Sequence, residues 1–278
     1  MVQLRLSRGV APGTAGRFRS QELVILASHS RPLAGSTAAD QKASGMLTPA
    51  LKILPASQLS FWNEEKRIPG NFVLYGGTAL ALRLGHRQSL DFDFFSSAPI
   101  ELEHLSATIP FVKEAEILQS EPNTVTLRID RGGPVTVSFF GNLSFGQLAV
   151  PDLVAPDGMK IASLADLMAA KLKTVFQRSE SKDYIDIATM IRSGESLARG
   201  LGGAITLFGP NFNPALPLKA LTYFGDGDLG LVPPEIRECL IAAVKETHEF
   251  PKVKQHARTI GSLTQDPNDF GDEGVAAP

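Results

Sequence analysis

Residues 72–95 decide the fold of this chain and read Phe-Val-Leu-Tyr-Gly-Gly-Thr-Ala-Leu-Ala-Leu-Arg-Leu-Gly-His-Arg-Gln-Ser-Leu-Asp-Phe-Asp-Phe-Phe. The apolar run 72–75 predicts a short buried strand. The glycine pair after it allows a tight turn and a close approach of the backbone to a ligand. Thr78 is expected to cap a helix over 79–84, whose free N–H groups would then point at an anion.

The second half of this stretch predicts a strand with two different faces. Gly85 is expected to end the helix, and residues 89–95 then alternate between polar and apolar side chains. Asp91 and Asp93 therefore share one face, about 7 Å apart along the strand. Two carboxylates in this arrangement suit Mg²⁺, or Mn²⁺, bound together with substrate phosphates.

The turn and the acidic pair are informative only in combination. A Gly-Gly turn alone is weak evidence for a phosphate site, and an isolated Asp-x-Asp is usually a solvated strand face. Here they form one strand–turn–helix–strand unit, and aromatic residues already fill the opposite strand face. The sequence contains no Gly-Lys-Ser/Thr motif of a P-loop.

The segment 75–95 resembles the AbiEii/AbiGii toxin branch of the polymerase-beta-like nucleotidyltransferase superfamily. Similarity continues through 135–140, 171–187 and 218–224, so that it covers roughly residues 46–250, most of the chain. The resemblance implies an α+β fold, in which a small mixed β-sheet is flanked by helices and followed by a helical C-terminal part.

The resemblance also implies Mg²⁺-dependent transfer of a nucleoside monophosphate from an NTP to an acceptor hydroxyl. Asp91 and Asp93 would hold the metal, while Gly76, Gly77 and Thr78 would present backbone donors to the triphosphate. The implied acceptor is a tRNA 3′ end. The chain would be the toxin of a type IV toxin–antitoxin system, with an antitoxin encoded nearby.

Two other functions stay open. An enzyme of the same fold could modify a small molecule or a protein hydroxyl. Alternatively, the chain could be a catalytically degenerate module that binds an NTP without turnover.

Residues 124–129 and 135–140 predict a β-hairpin joined by a Gly-Gly turn. Superfamily enzymes usually carry a third carboxylate on such a strand, and the matching position here is Ser138. Serine is a poor base near neutral pH, and loss of a general base typically costs about 10²–10⁴-fold in rate. Either another carboxylate substitutes, or the reaction tolerates a weaker base, or the module is degenerate.

A helix is predicted over 163–178, with Ser163 and Asp166 in a start that resembles a capping box. Lys171 falls within its apolar stripe, whereas Lys173 falls on the opposite, solvated face. A lysine on such a stripe either snorkels at its edge or points at an anion. The residues alone favour snorkelling, but the resemblance implies a catalytic, phosphate-binding role for Lys171.

Two aspartates follow in a second helix that Ser181 is expected to cap. Asp183 lies in the first turn, where a carboxylate stabilises the helix dipole. Asp186 lies further in and is harder to explain as a cap; the resemblance implies that it is functional. Arg178 and Lys182 could bind triphosphate or RNA, or could instead pair with Asp186.

Arg87 is a candidate phosphate contact because it lies close to the glycine turn and the acidic strand. His86, just after a helix-ending glycine, is expected to be a surface or capping residue. No pair of histidines has the spacing of zinc ligands.

Further helices are predicted over 100–109, 216–224 and 234–248. Residues 196–203 are expected to be loosely organised, because glycines interrupt the helical pattern.

Bulk properties are those of a globular enzyme. The net charge of −2 gives no global basic field that would indicate nucleic-acid binding. The one cysteine, Cys239, excludes a disulfide framework, and no apolar run is long enough to span a bilayer. The cytoplasm is therefore the expected location.

Four regions are expected along the chain. Residues 1–45 predict disorder or a mis-assigned start upstream of Met46, a transit peptide being the less favoured alternative. A nucleotidyltransferase core is expected over 46–160 and a helical subdomain over 161–264. The tail 265–278 is expected to be disordered.

Overall fold

The structure of this chain is a computed structural model that describes residues 46–64, 68–154 and 158–264. These residues belong to one compact unit. The predictions for the leader 1–45 and the tail 265–278 lie outside the described residues.

Helices and strands alternate in the first half, and helices dominate the second. The described α-helices are α1 (Ala56–Glu64), α2 (Gly76–Leu84), α3 (Leu102–Thr108), α4 (Leu164–Thr174), α5 (Ser181–Arg192), α6 (Leu197–Phe208), α7 (Ala215–Ala220) and α8 (Pro234–Glu246). The described strands are β1 (Val73–Tyr75), β2 (Asp91–Phe95), β3 (Glu116–Glu121), β4 (Thr124–Asp130), β5 (Pro134–Phe140), β6 (Asp152–Val154) and β7 (Met159–Ile161). Short 3-10 helices cover Leu51–Ile53, Pro110–Lys113, Gly209–Asn211 and Leu229–Leu231.

Within the described ranges the strands form one mixed sheet in the order β3-β4-β5-β2-β1-β7-β6. Strand β2 is antiparallel to β1 and parallel to β5, and β1 is parallel to β7. The remaining neighbours are antiparallel, including the predicted β4–β5 hairpin. The predicted class, a mixed sheet with flanking helices and a helical C-terminal part, is confirmed.

The two faces of the central strands differ as the alternation in β2 predicts. Phe92 and Phe94 are fully buried on the apolar face. Phe92 meets Phe61 of α1 edge to face at 4.8 Å, and Phe94 stacks on Phe139 of β5 at 5.5 Å between ring centroids. Because these rings fill one side of the sheet, the two aspartates of β2 project from the other.

The prediction of loose structure over 196–203 is wrong, because α6 runs unbroken through its glycines. These glycines allow close packing. A Cβ at Gly202 would collide with the carbonyl oxygen of Pro251, and one at Gly203 would lie 2.5 Å from the side chain of Leu148. Tertiary contacts with distant parts of the chain, here Leu148 and Pro251, therefore override the low helix propensity of these glycines.

The other predicted helices are present with shorter ends. Helices α3 and α8 lie within the predicted ranges, and α4 starts as predicted, with the Ser163 side chain accepting from the Asp166 N–H. Helix α4 ends at Thr174 and α7 at Ala220, each four residues before the predicted end. Strands β3, β6 and β7 and helix α1 were not predicted.

The segment 253–262, here called the C-terminal strap, crosses back onto the sheet and is bound by Gln147. The backbone N–H of Gln147 donates to the carbonyl of Ala257 at 2.8 Å. Its buried side chain donates to the carbonyl of Ser262 at 2.6 Å and accepts from the Gly261 N–H at 2.8 Å. One glutamine thus satisfies polar groups of a segment more than 100 positions away.

Replacement of Gln147 by alanine is expected to lower the free energy of unfolding by about 1–3 kcal/mol, since it leaves buried backbone partners unsatisfied. Urea denaturation at neutral pH measures the change. The matched control is Gln177→Ala at an exposed position. Equal losses in the two variants would contradict the role of Gln147 in holding the strap.

Candidate active site

The glycine turn between β1 and α2 lies directly against Asp93. Tyr75, the last residue of β1, pairs with Asp93 in the sheet. Gly76 has φ +71°, and a Cβ at this position would collide with the Asp93 carboxylate. A Cβ at Gly77 would lie 2.7 Å from Nη2 of Arg87. Glycine is therefore needed at both positions, so that the backbone can pass between these two charged groups.

Helix α2 starts at Gly76, three residues before the predicted start, and Tyr75 precedes it without a side-chain cap. The prediction that Thr78 caps the helix is wrong. Thr78 is buried, and its hydroxyl donates to the carbonyl of Asp91, a contact that ties α2 to β2. The uncapped first turn presents backbone N–H donors, which is the geometry that binds phosphate oxygens.

Asp91 and Asp93 lie on the same face of β2, as predicted; Asp91 is exposed and Asp93 half-buried. Burial and, to a smaller extent, the negative charge of Asp91 raise the pKa of Asp93 to about 6, although Lys171, Arg178 and Lys182 oppose the shift. The two carboxylates therefore repel each other where one is partly removed from water. A cation between them would relieve this repulsion.

The carboxylates of Asp91 and Asp93 fit an Mg²⁺ ion whose remaining coordination positions are filled by substrate phosphates and water. Within the part of the chain that the structure describes, no group of three or more His, Cys, Asp or Glu side chains could hold a metal ion. An all-protein cage is not what Mg²⁺ requires, because it usually takes one or two carboxylates and fills its other positions with water and phosphate oxygens. Asp91 and Asp93 supply such a pair.

Ser138 occupies the position beside Asp93 on the neighbouring strand. In the parallel pairing of β2 with β5, Asp93 lies opposite Ser138 and Asp91 opposite Thr136. The Ser138 hydroxyl is 3.2 Å from that of Thr126 on β4. A hydroxyl pair thus stands where superfamily enzymes usually have a carboxylate, and sequence reasoning missed Thr126, which only the strand register brings there.

Lys171 is buried and bridges two aspartates of α5. Its Nζ lies 2.7 Å from Oδ1 of Asp183 and 2.7 Å from Oδ2 of Asp186. Lys171 is 6% exposed and both aspartates are fully buried. An ammonium carries three donors, so one N–H of Lys171 is not used by these carboxylates. The interpretation of Lys171 as an edge lysine that snorkels into solvent does not fit this burial.

Asp183 is an ion-pair partner and more than a helix-dipole residue. It also accepts from Nε of Arg178 at 2.7 Å and from Nη2 at 3.1 Å. Burial would raise the pKa of Asp183, but Lys171 and Arg178 outweigh it and hold the pKa below its ordinary value. Arg178 is therefore bound to Asp183, and not to Asp186 as the pairing alternative suggested.

Asp186 is the most heavily coordinated side chain in the site. Arg87 binds it in a bidentate manner, with Nε 2.6 Å from Oδ1 and Nη2 2.7 Å from Oδ2. His86 Nε2 lies 2.7 Å from the same Oδ1. Burial would raise the pKa of Asp186, but Lys171, His86 and Arg87 together hold it well below the ordinary value. The expectation that His86 is a surface or capping residue is wrong.

Lys182 and Ser181 lie at the edge of this cluster. Lys182 is half exposed and pairs with Glu180 at 2.9 Å, so the pairing of Lys182 with Asp186 is not formed. Glu180, and not Ser181, precedes α5 as its N-cap. The Ser181 hydroxyl donates to Asp228 at 2.8 Å, so the predicted cap is replaced by a contact with a distant loop.

These ion pairs leave a positive surplus beside the acidic pair. Four cations (Arg87, Lys171, Arg178 and Lys182) face three carboxylates (Glu180, Asp183 and Asp186), which gives a net charge of +1 if His86 is neutral. The site thus has a negative part on β2 and a positive part on α4, on the segment that follows α2, and on the start of α5 with the segment that leads into it. A metal-bound triphosphate has the charge distribution that complements both parts.

Residues 66–269 match the sequence model of the family described as "Nucleotidyl transferase AbiEii toxin, Type IV TA system". The chain belongs to this family. It is therefore a nucleotidyltransferase enzyme with an NTP substrate, and the toxin partner of an antitoxin in a type IV toxin–antitoxin system.

A relative of this AbiEii-family toxin is the uncharacterized protein aq_aa25 of Aquifex aeolicus (strain VF5). The two are 29% identical over 189 residues, which make up 67% of this chain and 87% of the relative.

Solved structures with a similar shape include a protein from H. pylori assigned provisionally as a nucleotidyltransferase and MenT4, a nucleotidyltransferase toxin from Mycobacterium tuberculosis H37Rv. The H. pylori protein is 17% identical with a TM-score of 0.45, and the match covers 69% of this chain and 94% of that one. MenT4 is 15% identical with a TM-score of 0.41, and the match covers 67% of this chain and 79% of that one.

Among the residues described for this AbiEii-family toxin, no helix has both the length and the apolar character needed to cross a bilayer.

Proposed function

We propose that this AbiEii-family toxin transfers a nucleoside monophosphate from an NTP to the 3′-terminal hydroxyl of a tRNA in the cytoplasm, with Mg²⁺ as cofactor. The observation that carries the proposal is the meeting of three elements at β2: the uncapped glycine turn, the acidic pair and the positively charged cluster. Each suits a different part of a metal-bound triphosphate.

The acidic pair is the proposed metal site. Asp91 and Asp93 would hold Mg²⁺, which would supply positive charge to neutralise the phosphates. Asp93 already lies against the glycine turn. A metal ion held there would be next to the backbone N–H groups of the first turn of α2.

The triphosphate is proposed to lie over Gly76 and Gly77. Backbone N–H groups at this turn would donate to phosphate oxygens, and Lys171 would contribute its remaining N–H and its charge. Arg178 and Lys182 add positive charge that reaches Asp93. Arg87 would act through Asp186 and would not contact the triphosphate directly, because its guanidinium is already bound in a bidentate manner to this buried carboxylate.

The acceptor is proposed to approach over β5 and β4, on the side of β2 opposite the cation cluster. Thr136 and Ser138 of β5 pair with Asp91 and Asp93, and Arg128 of β4 lies opposite Thr136. Arg128 is half exposed and pairs with Glu116 at 2.6 Å, so a phosphate of an RNA strand would compete with this carboxylate for Arg128. Hydroxyls and one arginine leave this part of the sheet polar.

In the proposed reaction the acceptor oxygen forms a bond to the α-phosphorus, and the bond from that phosphorus to its bridging oxygen breaks. Pyrophosphate leaves, and the hydroxyl proton passes to solvent. Because Ser138 is a poor base, the site relies on orienting the reactants and on stabilising charge.

The test is a labelling assay with the full chain, Mg²⁺, total tRNA and each α-labelled NTP in turn. Label on tRNA that the Asp91→Ala/Asp93→Ala variant fails to produce is the expected result, and it identifies the base. Label on the protein itself would favour a protein acceptor, and label on neither would favour the binding module. A double mutant that still labels tRNA would exclude the proposed role of the acidic pair.

A further inference from the structure

We propose that His86 is a positioning residue for the cation cluster of Arg87, Lys171 and Arg178, because its Nε2–H holds Asp186 in the orientation that fixes Lys171 and Arg87. This inference rests on the proposed function, since it assigns His86 a role in the binding of the triphosphate. It concerns a histidine that contacts no reacting group in the proposed reaction.

The first step of the argument is how the acceptor sites of Asp186 are filled. Oδ1 accepts from His86 Nε2 and Arg87 Nε, and Oδ2 accepts from Arg87 Nη2 and Lys171 Nζ. A carboxylate offers about four lone-pair positions, so all of them are occupied. Removal of His86 would leave Oδ1 with one partner, so that Arg87 and Lys171 alone would set the orientation of the carboxylate.

The second step is the burial of the imidazole. The His86 side chain is 9% exposed. Its Nδ1 is buried, and among the described residues it has no hydrogen-bond partner. A buried nitrogen without a hydrogen-bond partner costs about 1–3 kcal/mol of stability. The position of the imidazole is therefore not explained by the hydrogen-bonding needs of the ring itself. The ring is held by its Nε2 contact with Asp186.

The third step is the position of His86 directly after the end of α2. This helix opens with the glycine turn and ends at Gly85, which has φ +61° and directs the chain toward α5. His86 and Arg87 follow at once and reach Asp186, about 100 positions later in the chain. One helix therefore carries the backbone donors at its start, and at its end the residues that orient the cations.

The experiment compares His86→Asn with His86→Gln. Glutamine can place a donor near the position of Nε2, whereas the shorter asparagine places its amide near Nδ1 and does not reach Asp186. The matched controls are His104→Asn and His104→Gln, at an exposed position on α3. The probe is inorganic tripolyphosphate with Mg²⁺, measured by calorimetry, so that the readout depends on neither the base nor catalysis.

The expected result is that His86→Asn weakens tripolyphosphate binding about 10-fold, the cost of one charge-assisted hydrogen bond. His86→Gln and both His104 variants should stay close to the wild type. Equal weakening in the two His86 variants would overturn the inference, because it would assign the effect to lost ring packing. Wild-type binding throughout would overturn it as well, as would a wild-type protein that does not bind tripolyphosphate.

A different result would contradict the proposed function without deciding the role of His86. If the wild-type chain binds tripolyphosphate but transfers no NMP to any acceptor, the transferase proposal is wrong. The comparison of the His86 variants would then still decide whether this histidine orients the cations.

Discussion

Replacement of Lys171 by methionine is expected to lower the free energy of unfolding by about 3 kcal/mol, since removing one partner of a buried ion pair leaves charge uncompensated. This loss of stability lies at the low end for such changes, because Asp183 still pairs with Arg178 and Asp186 still pairs with Arg87. Methionine has a similar length, so that the loss reports charge rather than packing. Urea denaturation at pH 7 is the measurement.

The matched control is Lys173→Met on the same helix. Lys173 donates to the backbone of Asn211 and lies over the ring of Phe208, but it faces no buried carboxylate in the described ion pairs. Its loss is expected to cost less than about 1 kcal/mol. If the two variants are equally unstable, the buried cluster does not depend on the charge of Lys171.

Replacement of Asp93 by asparagine is expected to change activity and stability in opposite directions. NMP transfer should fall by at least about 100-fold, because the acidic pair loses one of its charges. Stability without metal should rise at neutral pH, because burial and Asp91 raise the pKa of Asp93 to about 6. A charge that the folded state disfavours is removed.

The pH dependence follows from the direction of this shift. A carboxyl whose folded pKa is raised binds more protons when folded, so its contribution to stability falls as pH rises from about 4 to about 6. The difference between 3.8 and about 6 corresponds to a gain of up to about 3 kcal/mol for Asp93→Asn above pH 6. The gain should vanish near pH 4, where the wild-type carboxyl is protonated.

Denaturation of the wild type and of Asp93→Asn from pH 4 to pH 8, with a chelator present, measures this difference. The control is Glu121→Gln, an exposed acid at the end of β3. A variant that is less stable than the wild type at pH 7 would contradict the repulsion between Asp91 and Asp93.

The sequence predicts the parts of the site that depend on short-range pattern. The strand–turn–helix–strand unit and the shared face of Asp91 and Asp93 follow from alternation and from glycine. The position of Lys171 on an apolar stripe follows from helical periodicity. In each case the informative sequence pattern lies within one or two neighbouring helices or strands.

The remaining features depend on contacts between distant parts of the chain. His86 meets Asp186, 100 positions later, and no local pattern distinguishes it from a surface histidine. Thr126 reaches Ser138 only through the register of β4 and β5. The glycines of α6 read as helix breakers because their packing partners are remote. Strand β3 lies at the sheet edge with most of its side chains exposed, so it lacks the apolar alternation that indicates a strand.

The contacts between Gln147 and the C-terminal strap can form only after the strap has been synthesised. Chains are made from the N-terminus at about 5–20 residues per second, so Gly261 and Ser262 are added more than 100 residues after Gln147, which they satisfy. Gly261 also accepts from Lys160 on β7, the strand that borders β1. A ribosome that stops before these residues therefore releases a chain in which Gln147 and Lys160 lack these hydrogen bonds.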